Sequence, residues 1–133
     1  VDRVNRKGLP EKVARYHLHV FCPWILIKNK KILTGREDLF VPRENLAMKD
    51  FDWTIGIDSL FDSKVRVVDF NKQRIYTKNL QFDNFGGITL SFSKNLILKV
   101  TPCCSLPEIE NWRFFDRETS ESVVVYRDRY DDE

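Results

Sequence analysis

The 133-residue sequence predicts a mainly β to α+β fold, organised as an antiparallel sheet or a half-open barrel. The first observation is that apolar residues recur at period two in several short segments separated by turn-forming residues. The second is that a tryptophan-containing strand pattern occurs twice, over residues 18–38 and 98–128. We therefore expect about seven or eight short strands in two related halves, with one or two short helices.

The first half of the chain begins with polar and basic residues and then becomes strand-like. Residues 1–15 are predicted to form a basic polar arm with a helical turn at residues 10–14, because Pro10 suits the first turn of a helix. Alternation over residues 16–22 predicts a strand. Residues 24–34 then predict a hairpin that turns at residues 28–31 and ends at Gly35.

The second half contains the clearest hairpins. Asp58 is a suitable N-cap, so residues 58–63 are predicted to form a short helix leading to strands at residues 65–68 and 75–77. Gly86-Gly87 then precedes the best hairpin signal in the chain, Ile88–Phe92 with Leu96–Val100. Residues 112–115 and 123–126 predict a final hairpin.

The charge distribution separates the two ends of the chain. Residues 1–104 carry 18 basic and 11 acidic side chains, whereas residues 105–133 carry 4 basic and 9 acidic ones. We expect one β-rich domain at residues 16–126 and an acidic tail at residues 127–133. No apolar run approaches the ~20 residues that span a bilayer, and no secretory signal is visible. A cytoplasmic protein that does not bind membranes is expected.

The cysteines indicate a reducing compartment. There are three, Cys22, Cys103 and Cys104, and an odd number containing a vicinal pair is not a disulfide framework. We expect Cys22 and one of the pair to be small buried apolar residues. A thiol nucleophile is the alternative, but the two histidines lie some eighty residues away in sequence from the vicinal pair.

Other groupings in the sequence are compatible with an enzyme but also have structural explanations. His17 and His19, with Cys22 following, have a spacing that could hold a metal ion, although strand histidines more often form hydrogen bonds or face water. Asp50 and Asp52 are two apart, as are Glu108 and Glu110, but such acidic pairs are common in soluble domains. There is no phosphate-binding glycine loop. We therefore expect no metal, no cofactor and no catalytic residues.

One segment favours nucleic-acid binding as an alternative function. Its basic and aromatic residues lie at period two, which would place all five on one strand face. These residues are Phe70, Lys72, Arg74, Tyr76 and Lys78.

Two motifs resemble a widespread family of small bacterial proteins. In residues 17–39 the resemblance is carried by Trp24, Gly35 and Asp38, and in residues 86–116 by the element Glu110-Asn111-Trp112. Relatives of this kind are similar to immunity proteins encoded beside polymorphic or contact-dependent toxins. The resemblance implies a cytosolic protein that binds and neutralises a toxin.

The sequence and the resemblance together predict a non-enzymatic protein-binding module. We place Trp24 and Trp112 in the core, since each lies inside an apolar run. Partner contacts are expected near the acidic end, where aromatic and arginine side chains would supply binding energy and the carboxylates would steer a basic toxin. The predicted contacts are Tyr126, Arg127, Arg129, Tyr130, Asp131 and Asp132. Homodimerisation through an exposed edge strand is a further expectation.

Overall fold

A computed structural model describes residues 2–4, 6–68, 72–127 and 129–132, with the backbone alone at residues 2, 3, 131 and 132. Within these residues the chain is mainly β and all sheet pairings are antiparallel, which confirms the predicted fold class. The sheets are open rather than closed into a barrel. In chain order the strands are β1 (Asp2–Val4), β2 (Pro10–Lys12), β3 (Tyr16–Val20), β4 (Trp24–Lys28), β5 (Lys31–Gly35), β6 (Thr77–Phe82), β7 (Ile88–Phe92), β8 (Leu96–Val100), β9 (Trp112–Asp116), β10 (Ser122–Val125) and β11 (Tyr130–Asp132).

The chain divides into two compact units. The first unit comprises residues 1–22, 84–86 and 102–133, and the second comprises residues 23–83 and 87–101. In the first unit, β1 pairs with β2, and a four-stranded sheet has the order β11-β10-β9-β3. In the second, a five-stranded sheet has the order β5-β4-β8-β7-β6.

Strands of one tryptophan pattern pair with strands of the other. Trp24 begins β4 and lies opposite Val100 at the end of β8, whereas Trp112 begins β9 and lies opposite Val20 at the end of β3. The strand that precedes each tryptophan in sequence therefore pairs with the strand that begins at the other tryptophan. This reciprocal pairing is consistent with two sequence patterns of similar design.

The predicted hairpins are confirmed. β4 turns into β5 through Asn29 and Lys30, which both have positive φ, as a tight two-residue hairpin turn requires. β7 pairs with β8 from Ile88 opposite Val100 to Phe92 opposite Leu96. β9 pairs with β10 in the final hairpin.

The helix α1 (Leu60–Val68) replaces a strand that the sequence was expected to form at residues 65–68. Phe61, Val65 and Val68 are spaced for one helical face, and Val68 is almost fully buried while Val67 is exposed. The N-cap is Ser59 rather than the predicted Asp58, because the Ser59 hydroxyl oxygen accepts a bond from Asp62 N at 3.2 Å. The strand prediction for Val65, Val67 and Val68 is therefore wrong, and the helical spacing is the correct one.

The predicted helical turn at residues 10–14 is also wrong, because Pro10–Lys12 forms β2 and pairs with β1. Proline is compatible with a short strand at the edge of a two-stranded sheet, where its missing N–H removes no central ladder bond. Short 3₁₀ helices occur at Arg36–Phe40 and Met48–Asp50. Among the described residues, no helix is both long enough and apolar enough to cross a membrane.

Candidate protein-binding surface

The predicted contact residues of the acidic end lie around the turn between β10 and β11. Tyr126 N donates to Arg129 O at 2.9 Å, and the Arg129 guanidinium lies 4.1 Å from the centre of the Tyr126 ring. Arg127 Nη1 donates to Ser105 O at 2.6 Å, and Arg129 Nη1 donates to Pro107 O at 3.1 Å. Both arginines therefore support a neighbouring loop of the first unit.

The acidic residues of the same region belong partly to a strand. The backbone of Asp131 and Asp132 lies in β11, opposite Val124 and Val123 of β10. Tyr130 is exposed and begins this strand. Asp128 and Glu133, which were assigned to the tail, lie outside the described residues. The contact role predicted for this end stays a prediction.

The Glu110-Asn111-Trp112 element has a structural role in the first unit. Asn111 O accepts bonds from Phe21 N at 2.9 Å and Cys22 N at 3.2 Å, while Asn111 N donates to Val125 O at 2.8 Å. Glu110 forms an ion pair with Arg113. Trp112 is buried, as predicted, and its indole Nε1 donates to Gly86 O at 2.7 Å.

The residues Trp24, Gly35 and Asp38 likewise organise the second unit. The half-buried Trp24 ring meets the Phe61 ring of α1 edge-on at a centroid distance of 5.5 Å. A side chain at Gly35 would approach Trp24 O to 3.1 Å. The hydroxyl of buried Thr34 donates to Asp38 Oδ2 at 2.8 Å. Both motifs that carry the resemblance are thus used by the fold.

The histidines and cysteines do not assemble into a recognisable centre. His17 Nε2 lies 2.8 Å from Ala14 O and 3.1 Å from Arg117 Nε. The part of the chain that the structure describes holds no group of three or more metal-ligating side chains. Cys22 is buried as expected, but neither vicinal cysteine is: Cys103 is exposed and Cys104 half-buried. The pair follows β8 in an irregular segment.

The acidic pairs are also engaged locally. Asp52 Oδ1 accepts bonds from the hydroxyl of Thr54 at 2.6 Å and from its N–H at 2.9 Å. These two bonds, the hydroxyl bond first, lower the pKa of Asp52. A depressed pKa keeps this carboxylate ionised, which is unsuited to donating a proton at neutral pH.

The predicted nucleic-acid face is not a single strand face. Lys72, Arg74 and Tyr76 precede β6, which begins only at Thr77, and Lys78 lies at an irregularity in the β6–β7 pairing. Phe70 lies outside the described residues. The β6–β7 ladder starts only at Thr77, because Tyr76 N bonds to the side-chain hydroxyl of Ser93 and not to a backbone carbonyl.

An apolar surface that the sequence reasoning missed lies on the loop between β5 and α1. It consists of large side chains that are all at least one third exposed, and Trp53 is 65% exposed. The rings of Phe40 and Trp53 contact each other at a centroid distance of 6.1 Å. We call this the Trp53 surface, and its members are Phe40, Val41, Met48, Trp53, Ile55 and Ile57.

The loop that carries the Trp53 surface is closed at its base. Pro42 forms an antiparallel bridge with Ser59, Arg43 N donates to Asp58 O at 2.7 Å, and Leu60 N donates to Val41 O at 2.8 Å. Asp58 and Ser59 are buried at this base. The chain therefore leaves and rejoins the unit at one place, so the intervening side chains are presented on an anchored loop.

The Trp53 surface is set in an acidic segment. Residues 36–58 contain six acidic and three basic side chains, a net charge of −3. Its apolar residues do not keep one period along the segment: Trp53, Ile55 and Ile57 alternate at period two, but this alternation is not continuous with Phe40, Val41 and Met48. Large apolar residues without a sustained period between two well-patterned elements are the signal that would have identified the surface.

The chain matches no protein-family model, no curated protein and no solved structure.

Proposed function

We propose that the protein is a non-enzymatic binding module, acting in the bacterial cytoplasm as an immunity protein that neutralises a cognate toxin by direct contact. The resemblance of its tryptophan motifs to immunity proteins supplies the class of partner. The Trp53 surface is the observation that carries the protein-binding part of the proposal.

The composition of the Trp53 surface supports a protein partner. Phe40 and Trp53, whose rings are in contact, form an exposed apolar pair of the kind that marks interaction sites on monomeric proteins. Tryptophan, phenylalanine and methionine are enriched at the centres of interfaces, where single aromatic side chains dominate the binding energy. Phe40, Met48 and Trp53 are such side chains, and the anchored base of the loop limits the entropy lost when they are covered.

The charge around the surface supports a basic partner. The net charge of −3 over residues 36–58 would attract a basic protein during encounter and disfavour an anionic membrane or nucleic acid. The carboxylates predicted for the acidic end of the chain have the same sign. A toxin with a basic, apolar-centred site is therefore the partner that fits.

The test compares Trp53→Ala with the unchanged protein. Each is immobilised and exposed to lysate of the native host, and the captured protein is identified, purified and titrated by calorimetry. We expect one stoichiometric partner whose affinity falls by about 30-fold, or about 2 kcal/mol, in the variant. Co-expression of that partner should arrest growth, and the unchanged protein should restore growth better than Trp53→Ala does.

Ile32→Ala is the matched control, because Ile32 is 67% exposed in the same unit but lies on β5, outside the loop. The free energy of unfolding of each variant should lie within about 1 kcal/mol of that of the unchanged protein, since both side chains are mostly exposed. A toxic partner that binds Trp53→Ala and Ile32→Ala equally well would show that the Trp53 surface is not the interface. A captured partner without toxicity would refute the immunity role while leaving protein binding standing.

The predicted steering role of the acidic end needs a milder change than truncation. Removing residues 127–133 would delete β11 as well as its charges. The double substitution Asp131→Asn and Asp132→Asn keeps the strand and removes two charges. We expect a slower association rate with an unchanged dissociation rate, and this difference should shrink as salt is raised.

A further inference from the structure

The five-stranded sheet of the second unit ends at β6, whose outer edge is open. Within the described residues, β6 pairs with β7 on one side and no strand pairs with it on the other. All six residues of β6 are exposed, so the strand is open to solvent. At the other end of the sheet, by contrast, α1 packs against β5. An unpaired strand edge is a template for pairing with another strand.

The ladder shows which backbone groups of β6 point outward. In an antiparallel pair, residues bonded to the neighbouring strand alternate with residues whose N–H and C=O point away from it. Asp83 continues the ladder past the end of β6, and its N–H donates to Gly87 O at 3.1 Å, so Asp83 is a bonded position. Counting back by two, Gln81 is also a bonded position, and Leu80 is an outward one. Leu80 therefore presents its own N–H and C=O at the open edge.

Apolar side chains on one face of the sheet also lead to this edge. Four leucines lie directly opposite one another on successive strands and so share that face. We call them the leucine row, and in strand order they are Leu26, Leu98, Leu90 and Leu80. Leu26 at the inner end is 8% exposed, whereas Leu80 at the open edge is 45% exposed. The row is thus removed from water at one end and left in water at the other.

From the open edge and the leucine row we infer that β6 pairs with β6 of a second copy of this chain. The two strands run antiparallel about a two-fold axis at Leu80, which exchanges two backbone hydrogen bonds with Leu80 of the second copy. The two five-stranded sheets then form one continuous sheet. Each leucine row continues into the other, and the apolar surface of Leu80 is covered.

The composition of the edge favours a second copy as the occupant. From Asn79 to Phe82 the strand has no charged side chain, although charged residues are the usual protection of an open edge. Pairing about Leu80 puts Asn79 opposite Gln81 of the second copy, and two amide side chains can bond to each other across the strands. The same axis separates the two copies of Lys78 by four positions, so like charges do not face each other. The basic toxin proposed above would find no opposite charge here.

Sedimentation velocity over a range of protein concentrations tests the inference on the full-length chain. We expect a reversible dimer with twice the mass of the 15.8 kDa chain, because each copy contributes one short strand. Leu80→Lys puts two like charges opposite each other at the axis and should raise the dimer dissociation constant about tenfold. Its circular dichroism spectrum should match that of the unchanged protein, since the outward backbone groups of Leu80 do not belong to the β6–β7 ladder.

Mixing two variants separates this pairing from any other. Leu80→Asp alone should dimerise as weakly as Leu80→Lys alone, for the same reason. An equimolar mixture of the two should form a heterodimer, because opposite charges then meet at the axis. Ile32→Lys is the matched control: it adds the same charge at an exposed position on β5, at the other end of the sheet, and should dimerise like the unchanged protein.

The inference does not depend on the proposed function, so Trp53→Ala should dimerise like the unchanged protein. A dimer that is lost in Trp53→Ala, or that Leu80→Lys leaves intact, would overturn the inference. A mixture of Leu80→Lys and Leu80→Asp that stays monomeric would do the same. A chain that is monomeric at every concentration would also overturn it, even if Leu80→Lys lost a partner captured from lysate, since the edge would then belong to that partner.

Discussion

Replacing Gly87 with alanine places a methyl group where the backbone has almost no room. A β-carbon at Gly87 would overlap Asp83 Oδ2, lie 2.9 Å from Asp83 Cγ and lie 3.0 Å from Val100 O. Asp83 Oδ1 also accepts a hydrogen bond from Gly87 N at 2.8 Å. The new methyl group must therefore displace the Asp83 carboxylate and press against the backbone of β8.

The expected destabilisation can be assembled from these contacts. Loss of the bond to the exposed Asp83 carboxylate should cost about 1 kcal/mol. Strain against Val100 O should cost a further ~1–2 kcal/mol, as overpacking usually does. Alanine also has fewer backbone conformations than glycine in the unfolded chain, which offsets the loss by about 0.5 kcal/mol. The net loss of about 2 kcal/mol corresponds to a fall of about 1 M in the urea midpoint at a typical slope for a small protein.

Urea denaturation followed by tryptophan fluorescence measures this loss. Gly56→Ala is the control, because a β-carbon there meets no atom within 4 Å, and its midpoint should stay the same or rise. In an Asp83→Ala background, Gly87→Ala should cost only the part due to Val100 O. A Gly87→Ala midpoint equal to that of the unchanged protein, or an equal cost in both backgrounds, would refute the reasoning.

Two further predictions concern the first unit. Arg15 binds Asp116 through two nitrogens, Nε at 3.1 Å from Oδ1 and Nη2 at 2.8 Å from Oδ2, and this pairing lowers the pKa of Asp116. Stability from the ionised carboxylate is present above its unfolded pKa of about 3.9 and is lost as the pH falls further. Urea denaturation at several pH values should show that the unchanged protein is more stable than Asp116→Asn, and that this difference in unfolding free energy narrows below about pH 4. A difference that stays constant with pH would contradict this. Trp112→Phe removes the indole donor to Gly86 O and leaves a small void, so it should cost about 2 kcal/mol in urea denaturation. Trp53→Phe should lower the free energy of unfolding by less than about 0.5 kcal/mol. If Trp112→Phe and Trp53→Phe lose the same amount, the hydrogen bond from the Trp112 indole does not contribute to stability.

The fold was predictable where side chains alternate and turn residues mark the ends. The β7–β8 hairpin has both signals, and the structure has it at the predicted residues. The helix α1 was misassigned at residues 65–68, because three valines in four positions match a strand by composition while Phe61, Val65 and Val68 match a helix by spacing. Spacing decides here, since only the helical face buries Val68.

The candidate surfaces were harder to predict than the fold, for a physical reason. Arg127 and Arg129 were expected to face a partner, but they bond to carbonyls of residues 105 and 107. Such contacts depend on which loop the fold brings beside β10, and local sequence does not encode that. The position of the segment that ends at Tyr76 depends in the same way on bonds to Ser93, seventeen residues away in sequence.

The residues from which a resemblance to immunity proteins was proposed are used by the fold itself. Trp112 and Asn111 join strands of the first unit, and Asp38 satisfies a buried threonine in the second. A resemblance carried by such residues predicts shared architecture more directly than a shared partner, because their side chains are engaged in contacts within the fold. Partner choice must then come from residues that the fold leaves exposed, and Trp53 and Met48 are of this kind. Proteins with the same tryptophan motifs but different side chains at these two positions should therefore share the fold and bind different partners.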